Sequence, residues 1–237
     1  MRKIVSKIIL DVLETKNTKN VSNLKIVSTF APQLIMEEKE LFEKVSHLFM
    51  RYGIKSMTMD EVARQLGISK KTLYQFVDNK KDLVKKMMEF HIDGEQCSLE
   101  ATFSKCDNAI DEIMEMTKEV GSQMKEMHPS VMFDMRKYHP EAFQILVNHK
   151  DEFVRKCIHN NLENGVKEGF YRTNLNPEIV TELYLSMMSS IMNPENTPSK
   201  DINVHEVHGE MMRYHIRGIA SSKGREYLKQ KFREENV

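Results

Sequence analysis

Thr58, Gly67 and Ser69 constrain this chain more tightly than any other feature, because together they fix a short helix, a turn and a second helix within a dozen positions. Thr58 precedes Glu61 by three residues, a capping-box spacing that starts a helix, and the dipole of that helix favours Asp60 and Glu61 in its first turn. Val62, Ala63 and Leu66 form its inner face, and Gly67 ends it, with Ile68 placed to plug the corner. Ser69 then caps a helix reading SKKTLYQF, with Leu73 and Phe76 inward and Lys70, Lys71, Thr72 and Tyr74 on the outer face. Upstream, Leu41, Phe42, Val45, Leu48, Phe49 and Tyr52 recur at helical spacing and predict a scaffold helix that stops at Gly53. Short helix, tight turn and second short helix is the layout that sets a recognition helix into the major groove of DNA.

The outward face suits a nucleic acid. Lys70 and Lys71 neutralise phosphates or reach guanine acceptors, Thr72 donates to phosphate or meets a thymine methyl, and Tyr74 carries a hydroxyl on a rigid stem. Gln75 reads adenine only if it points outward, and its neighbour Phe76 places it near the edge of that face. Asn79 caps a further helix that opens with Lys80, and both the free N–H groups there and the lysine favour a phosphate. From Arg51 to Lys86 there are nine basic residues (51, 55, 64, 70, 71, 80, 81, 85, 86) and four acidic ones (60, 61, 78, 82), a local balance of +5. The whole chain is neutral, with 35 basic and 35 acidic residues, so positive charge is concentrated in this segment.

The run TMDEVARQLGISKKTLYQFVDNKKDL, preceded by a helix ending FMRYG, resembles the N-terminal DNA-binding domain of the tetracycline-repressor (TetR) family of bacterial transcriptional regulators. Thr58, the stretch from Ala63 to Gly67, Leu73, Tyr74, Phe76, Asn79 and Lys80 all stand at that family's usual places. The resemblance implies a DNA-binding set of Thr58, Ser69, Lys70, Lys71, Thr72, Tyr74 and Lys80, with Lys70 and Lys71 touching bases. One departure is Asp60, which occupies a place where some members carry a basic base-reading residue; a carboxylate there repels phosphates.

The expected fold is all-α, with a three-helix N-terminal helix-turn-helix domain over 36–82 and a helical ligand-binding and dimerisation domain over 83–237. Residues 1–35 are read as an N-terminal extension upstream of a natural start at Met36: a short amphipathic helix from Ile4 to Leu13, then the polar tract TKNTKNVSN. Leu83, Val84, Met87, Met88 and His91 stripe a connecting helix, and Ala109 to Val120 stripe the next. A short helix follows Pro129, and Pro140 opens a long one that ends around Gly165 to Gly169. The brief GFYRTNL reads as a connector. No uninterrupted apolar run approaches the roughly 18 residues needed to cross a membrane. Three cysteines, Cys97, Cys106 and Cys157, lack metal-type spacing and fit reduced thiols in a cytoplasmic protein.

Asn176-Pro177-Glu178 starts a helix whose apolar stripe, from Ile179 to Met192, is too broad for a single neighbour. A second such stripe runs from Val204 to Ile219. In the resembling family the last two main helices pair with their copies in a four-helix bundle, which implies a homodimer joined through Ile179, Leu183, Met187, Ile191, Val207, Met211, Tyr214 and Ile219. Two reading heads so joined span successive major grooves, about 34 Å apart, on a near-palindromic double-stranded operator.

Methionine is abundant, at 18 residues. Met114, Met116, Met124, Met127, Met132 and Met135 gather where the family's ligand cavity lies, so an apolar pocket is expected around Met114, Met124, Met132 and Met135, with Tyr138 and His139 as polar groups and a small-molecule effector of unknown identity as occupant. Ordinary gap-filling in a soft core is the plainer alternative, and both stay open. His128, His139, His149 and His159 lie about ten residues apart and do not form His-x-x-x-His pairs, and no glycine-rich phosphate loop or nucleophile elbow appears. No catalytic residues, cofactor or metal site is therefore expected. The residues describe a DNA-binding regulator, in the first reading a ligand-controlled repressor; in a second, a DNA-bound adaptor whose body takes a protein partner.

Overall fold

From Thr58 to Asn108, four successive helix starts are side-chain caps. The structure is a computed structural model that describes residues 37–193 and 203–234. The extension expected over 1–35 lies outside the described residues, as does most of the loop before Asn203. Helix α1, Glu38–Tyr52, buries Leu41, Phe42, Val45 and Phe49 and ends at Gly53, whose φ of +81° is open to glycine at little cost. Thr58 caps α2, Met59–Leu66, by accepting from the N–H of Glu61 at 3.2 Å, and Gly67 closes it with φ +69°. Ser69 caps α3, Lys70–Leu73, by accepting from the N–H of Thr72 at 3.0 Å. This third helix is shorter than SKKTLYQF suggested: after Leu73 the bonds tighten to i→i+3, Gln75 N–H to Thr72 and Phe76 N–H to Leu73, both 3.1 Å.

Asn79 caps the long α4, Lys80–Phe103, accepting from Lys81 and Asp82 N–H groups, and Asn108 caps α5, Ala109–Glu126, in the same way. Next come α6, Val131–Tyr138, and α7, Pro140–His149, with Pro140 in the first turn. The long helix expected after Pro140 is in fact interrupted: a π-turn over Lys150–Val154 separates α7 from α8, Arg155–Lys167. Helices α9, Pro177–Ile191, and α10, Val204–Ile219, stand where the broad stripes placed them. A last helix, α11, Ser222–Glu234, completes a body expected to be helical to its end; its charge-rich sequence, with only Tyr227, Leu228 and Phe232 as large apolar residues, does not set it apart as a separate stripe.

Helix α4 packs on α1 and α7, while α5 packs on α8 and α10, and α9 on α8 and α10. The core of the body is built from Ile110, Ile113, Ile158, Leu162, Tyr184, Leu185, Met212 and Ile216. Among the described residues the only extended pairing is a single antiparallel bridge between Tyr171 and Ala220, so the all-α expectation is met and GFYRTNL is more than a connector. Tyr171 is fully buried, and its hydroxyl donates to the Ala109 carbonyl at 3.0 Å and lies 2.9 Å from Asn161 Oδ1. Its ring lies over Gly165, where an added Cβ would meet ring carbons at 2.1 Å, and Gly224 is held equally close to the Phe170 carbonyl. The described residues from Glu38 onward form one compact unit, and α4 runs unbroken across the boundary expected at 82/83.

Candidate nucleic-acid interface and the cavity behind it

Leu73 anchors the recognition segment, fully buried beneath it, while Lys70, Lys71 and Tyr74 stand exposed, Tyr74 at 42%. The hydroxyls of Ser69 and Thr72 lie 2.7 Å apart and satisfy each other as well as the helix start. Thr58 is exposed with its Oγ engaged in its own cap. Asp60, the departure noted in the sequence, faces Lys70: its carboxylate lies 2.9 Å from Nζ, and the pairing holds the lysine pKa above its usual value. Charge that would repel a phosphate is thus masked by the residue expected to read a base. Lys80 behaves differently from its neighbours, because its Nζ is half-buried and donates to the Ile54 carbonyl at 2.6 Å. Burial pulls its pKa down, opposed by Asp134. In this conformation Lys80 ties the loop after α1 to the start of α4.

Behind the reading head lies a cavity of about 590 Å³. Its wall includes Phe49, Met50 and Ile54 from the reading head itself, Met87, Met88, His91 and Glu95 from α4, and Met124, Met132 and Met135 from α5 and α6. Three of the expected pocket residues, Met124, Met132 and Met135, therefore line it. The other three lie elsewhere. Met114 packs in the core of the body, because it sits on a different face of α5 from the lining Met116. Tyr138 is half-buried and accepts from Lys55 Nζ at 3.2 Å, and His139 is buried at the α6–α7 junction, its pKa lowered by burial and by Lys80. Glu95, His91, His149 and Tyr184 are also on the wall; His91 and Tyr184 belong to apolar stripes legible in the sequence, but a stripe does not tell whether a polar group on it meets a neighbour, water or a cavity.

The dimer residues divide as well. Ile179, Leu183 and Tyr214 are exposed at 58, 56 and 79%, Met187, Ile191 and Val207 are half-buried, and Met211 and Ile219 face the chain's own core. Periodicity locates an apolar stripe but not what covers each part of it. Among the described residues no group of His, Cys, Asp and Glu is arranged to hold a metal ion, and no helix is long and apolar enough to cross a membrane.

Two short capped helices around a glycine corner, with a cationic outer face on an all-helical body, define a helix-turn-helix DNA-binding protein. Residues 45–87 match the model of the family described as bacterial regulatory proteins, tetR family. That match covers the reading head and marks it as a DNA-binding domain of this family. A relative from Bacillus subtilis (strain 168), the uncharacterized HTH-type transcriptional regulator YvaF, is 25% identical over 161 residues, 67% of this chain and 82% of its own. Among solved structures, a putative transcriptional regulator from Saccharomonospora viridis in complex with choline aligns at TM-score 0.59 with 13% identity, over 76% of this chain and 96% of that one. The regulator FadR from Bacillus subtilis in complex with stearoyl-CoA aligns at 0.57 with 13% identity, over 76% and 97%.

Proposed function

We propose that this transcriptional regulator acts as a homodimeric repressor in the cytoplasm, binding a near-palindromic operator until a small, largely apolar molecule enters the cavity and weakens its grip on DNA. The observation that carries this reading is the shared wall: Phe49 and Met50 belong to the scaffold helix of the reading head and also line the cavity. An occupant that displaces them shifts the population between DNA-binding and non-binding arrangements in proportion to its preference for one of the two. The bonds from His128 N–H to the Met50 carbonyl and from Lys55 N–H to Asp134 support the reading, because they join the body to the same segment. Choline and stearoyl-CoA in structures of like fold support a ligand-binding role for the body without indicating which ligand.

Dimerisation is supported by the exposed strip of Ile179, Leu183 and Tyr214, since exposed apolar groups of this size clustered on adjacent helices favour a partner surface. Within the DNA-binding set, Lys70 and Lys71 are the base readers and Tyr74 and Thr58 contact phosphates. Sedimentation of the full chain together with selection of bound fragments from the source genome tests the whole reading. A dimer that recovers inverted-repeat sites is the expected result; a monomer, or no enrichment at low salt, defeats it. Leu183→Arg is expected to yield monomers and at least a tenfold loss of operator affinity.

A further inference from the structure

Among the described residues lining the cavity, Glu95 is the only acidic one. Its side chain is 13% exposed, and its carboxylate faces Nε2 of His149 at 3.7 Å, outside hydrogen-bond length. The His149 ring is itself nine-tenths buried, and its Nε2 has no hydrogen-bond partner. On the other side of the ring the Gln96 amide nitrogen lies 3.2 Å from Nδ1; with the amide donating, Nδ1 accepts and the ring proton sits on Nε2, directed toward Glu95. That proton favours the charged carboxylate. Burial, reinforced by Glu119, pushes Glu95 up to about 7, so its charge lacks a full counterpart inside the protein.

Basic side chains at the wall are engaged elsewhere. Arg136 donates to Asn193 Oδ1 at 2.9 Å, and Lys150 pairs with Asp151 at 3.3 Å. Much of the remaining surface is soft and polarisable, with ten methionines beside Phe49, Phe143 and Tyr184, while neutral polar groups such as Gln123 and Ser186 complete the wall. Thioethers and aromatic faces accommodate the apolar body of a ligand, and aromatic faces also attract a cation. A neutral occupant leaves Glu95 and His149 unpaired in a drier site, which is costly, and an anionic one adds repulsion.

We propose that the cavity takes a lipophilic monocation, an organic ammonium or phosphonium whose charge rests against Glu95 while its apolar body lies among the methionines. His149 is a positioning residue that orients the carboxylate. The proposal rests on the reading of this cavity as the effector site, and it adds the charge of the effector. A volume of about 590 Å³ falls within the usual range for drug-sized ligands, about 300–1,000 Å³.

Tetraphenylphosphonium and tetraphenylborate are nearly equal in shape and opposite in charge, and triphenylphosphine oxide is a neutral relative. Calorimetric titration of the full chain with all three tests the proposal. Tetraphenylphosphonium is expected to bind at least tenfold more tightly than tetraphenylborate, and Glu95→Gln to weaken the cation at least tenfold while leaving the oxide unchanged. Comparable binding of cation and borate by the unaltered chain overturns the proposal whether or not the variant folds. So does retention of full cation affinity by Glu95→Gln. Should the oxide bind and the cation not, the charge assignment fails while the cavity remains the effector site; if none of the three binds, both readings fall.

Discussion

The backbone N–H of Lys55 donates to Oδ2 of Asp134 at 2.8 Å, joining the loop after α1 to α6 across 79 positions of sequence. Asp134 is 3% exposed and also accepts from the Ser130 hydroxyl at 3.2 Å, so one buried carboxylate holds two elements together. Replacing it with alanine strips both donors of their partner, and urea unfolding should show a loss of about 1–3 kcal/mol. Because the bond joins reading head to body, Asp134→Ala should also narrow the difference in DNA affinity between ligand-free and ligand-bound protein. An unchanged ratio would exclude this contact from the coupling.

Asp60 pairs with Lys70 on the face proposed to meet DNA. Asp60→Asn frees the lysine and removes a negative charge, so binding to all sequences should strengthen and the dependence of log affinity on log salt should steepen by about one unit. Lys70→Ala, in contrast, should alter base preference. If both substitutions change specific and non-specific binding by the same factor, Lys70 acts on the backbone and not on a base.

One substitution should have opposite signs at two glycines. At Gly165 an added methyl would sit 2.1 Å from the ring of buried Tyr171, and Gly165→Ala should destabilise by about 1–3 kcal/mol or more. Gly94 lies within α4 with no atom near the position of a Cβ, and Gly94→Ala should stabilise by about 0.5–1 kcal/mol. Melting temperatures of the two variants moving the same way would contradict the packing around Tyr171.

Burial lowers His215 to about 4 and, with help from His205, lowers His208 to about 4, against 6.5 when exposed. Between those values the unfolded chain holds more protons than the folded one, so stability present above pH 6.5 is lost as pH falls toward 4. His91 and His149, also lowered by burial, act in the same direction. Glu95, raised to about 7, acts in the opposite sense, its contribution present below pH 4.5 and fading as pH rises through 7. Urea unfolding from pH 7 to pH 4.5 should therefore show falling stability, by roughly 1 kcal/mol per pH unit for each uncompensated histidine, and Glu95→Gln should steepen the fall. A flat profile would mean the histidines are hydrated in the folded state.

Local chemistry made the reading head legible. Thr58, Ser69, Asn79 and Asn176 each act through bonds within a few residues of themselves, and all four cap the helices that their spacing indicated. What escaped depends on contacts distant in sequence. Tyr171 looked like part of a loop because Asn161 and the Ala109 carbonyl, which receive its hydroxyl, lie 10 and 62 positions away. The inward turn of Met211 and Ile219, and the passage of Glu95 beside a cavity, depend on which neighbour covers which face, and a periodic stripe is silent on that. The engagement of Lys80 with Ile54 is of the same kind.

Phe49, Met50 and Ile54 serve two masters, belonging to the helix-turn-helix module on one side and bounding the cavity on the other. On the proposed reading, recognition of an effector and recognition of an operator are therefore not separable traits in this molecule. A substitution among these three that reshapes the chamber for a new compound will disturb how the chain holds its target sequence. Changes in chemical preference should accumulate instead on the far walls, around Phe143, Val147 and Met188, which stand on α7 and α9.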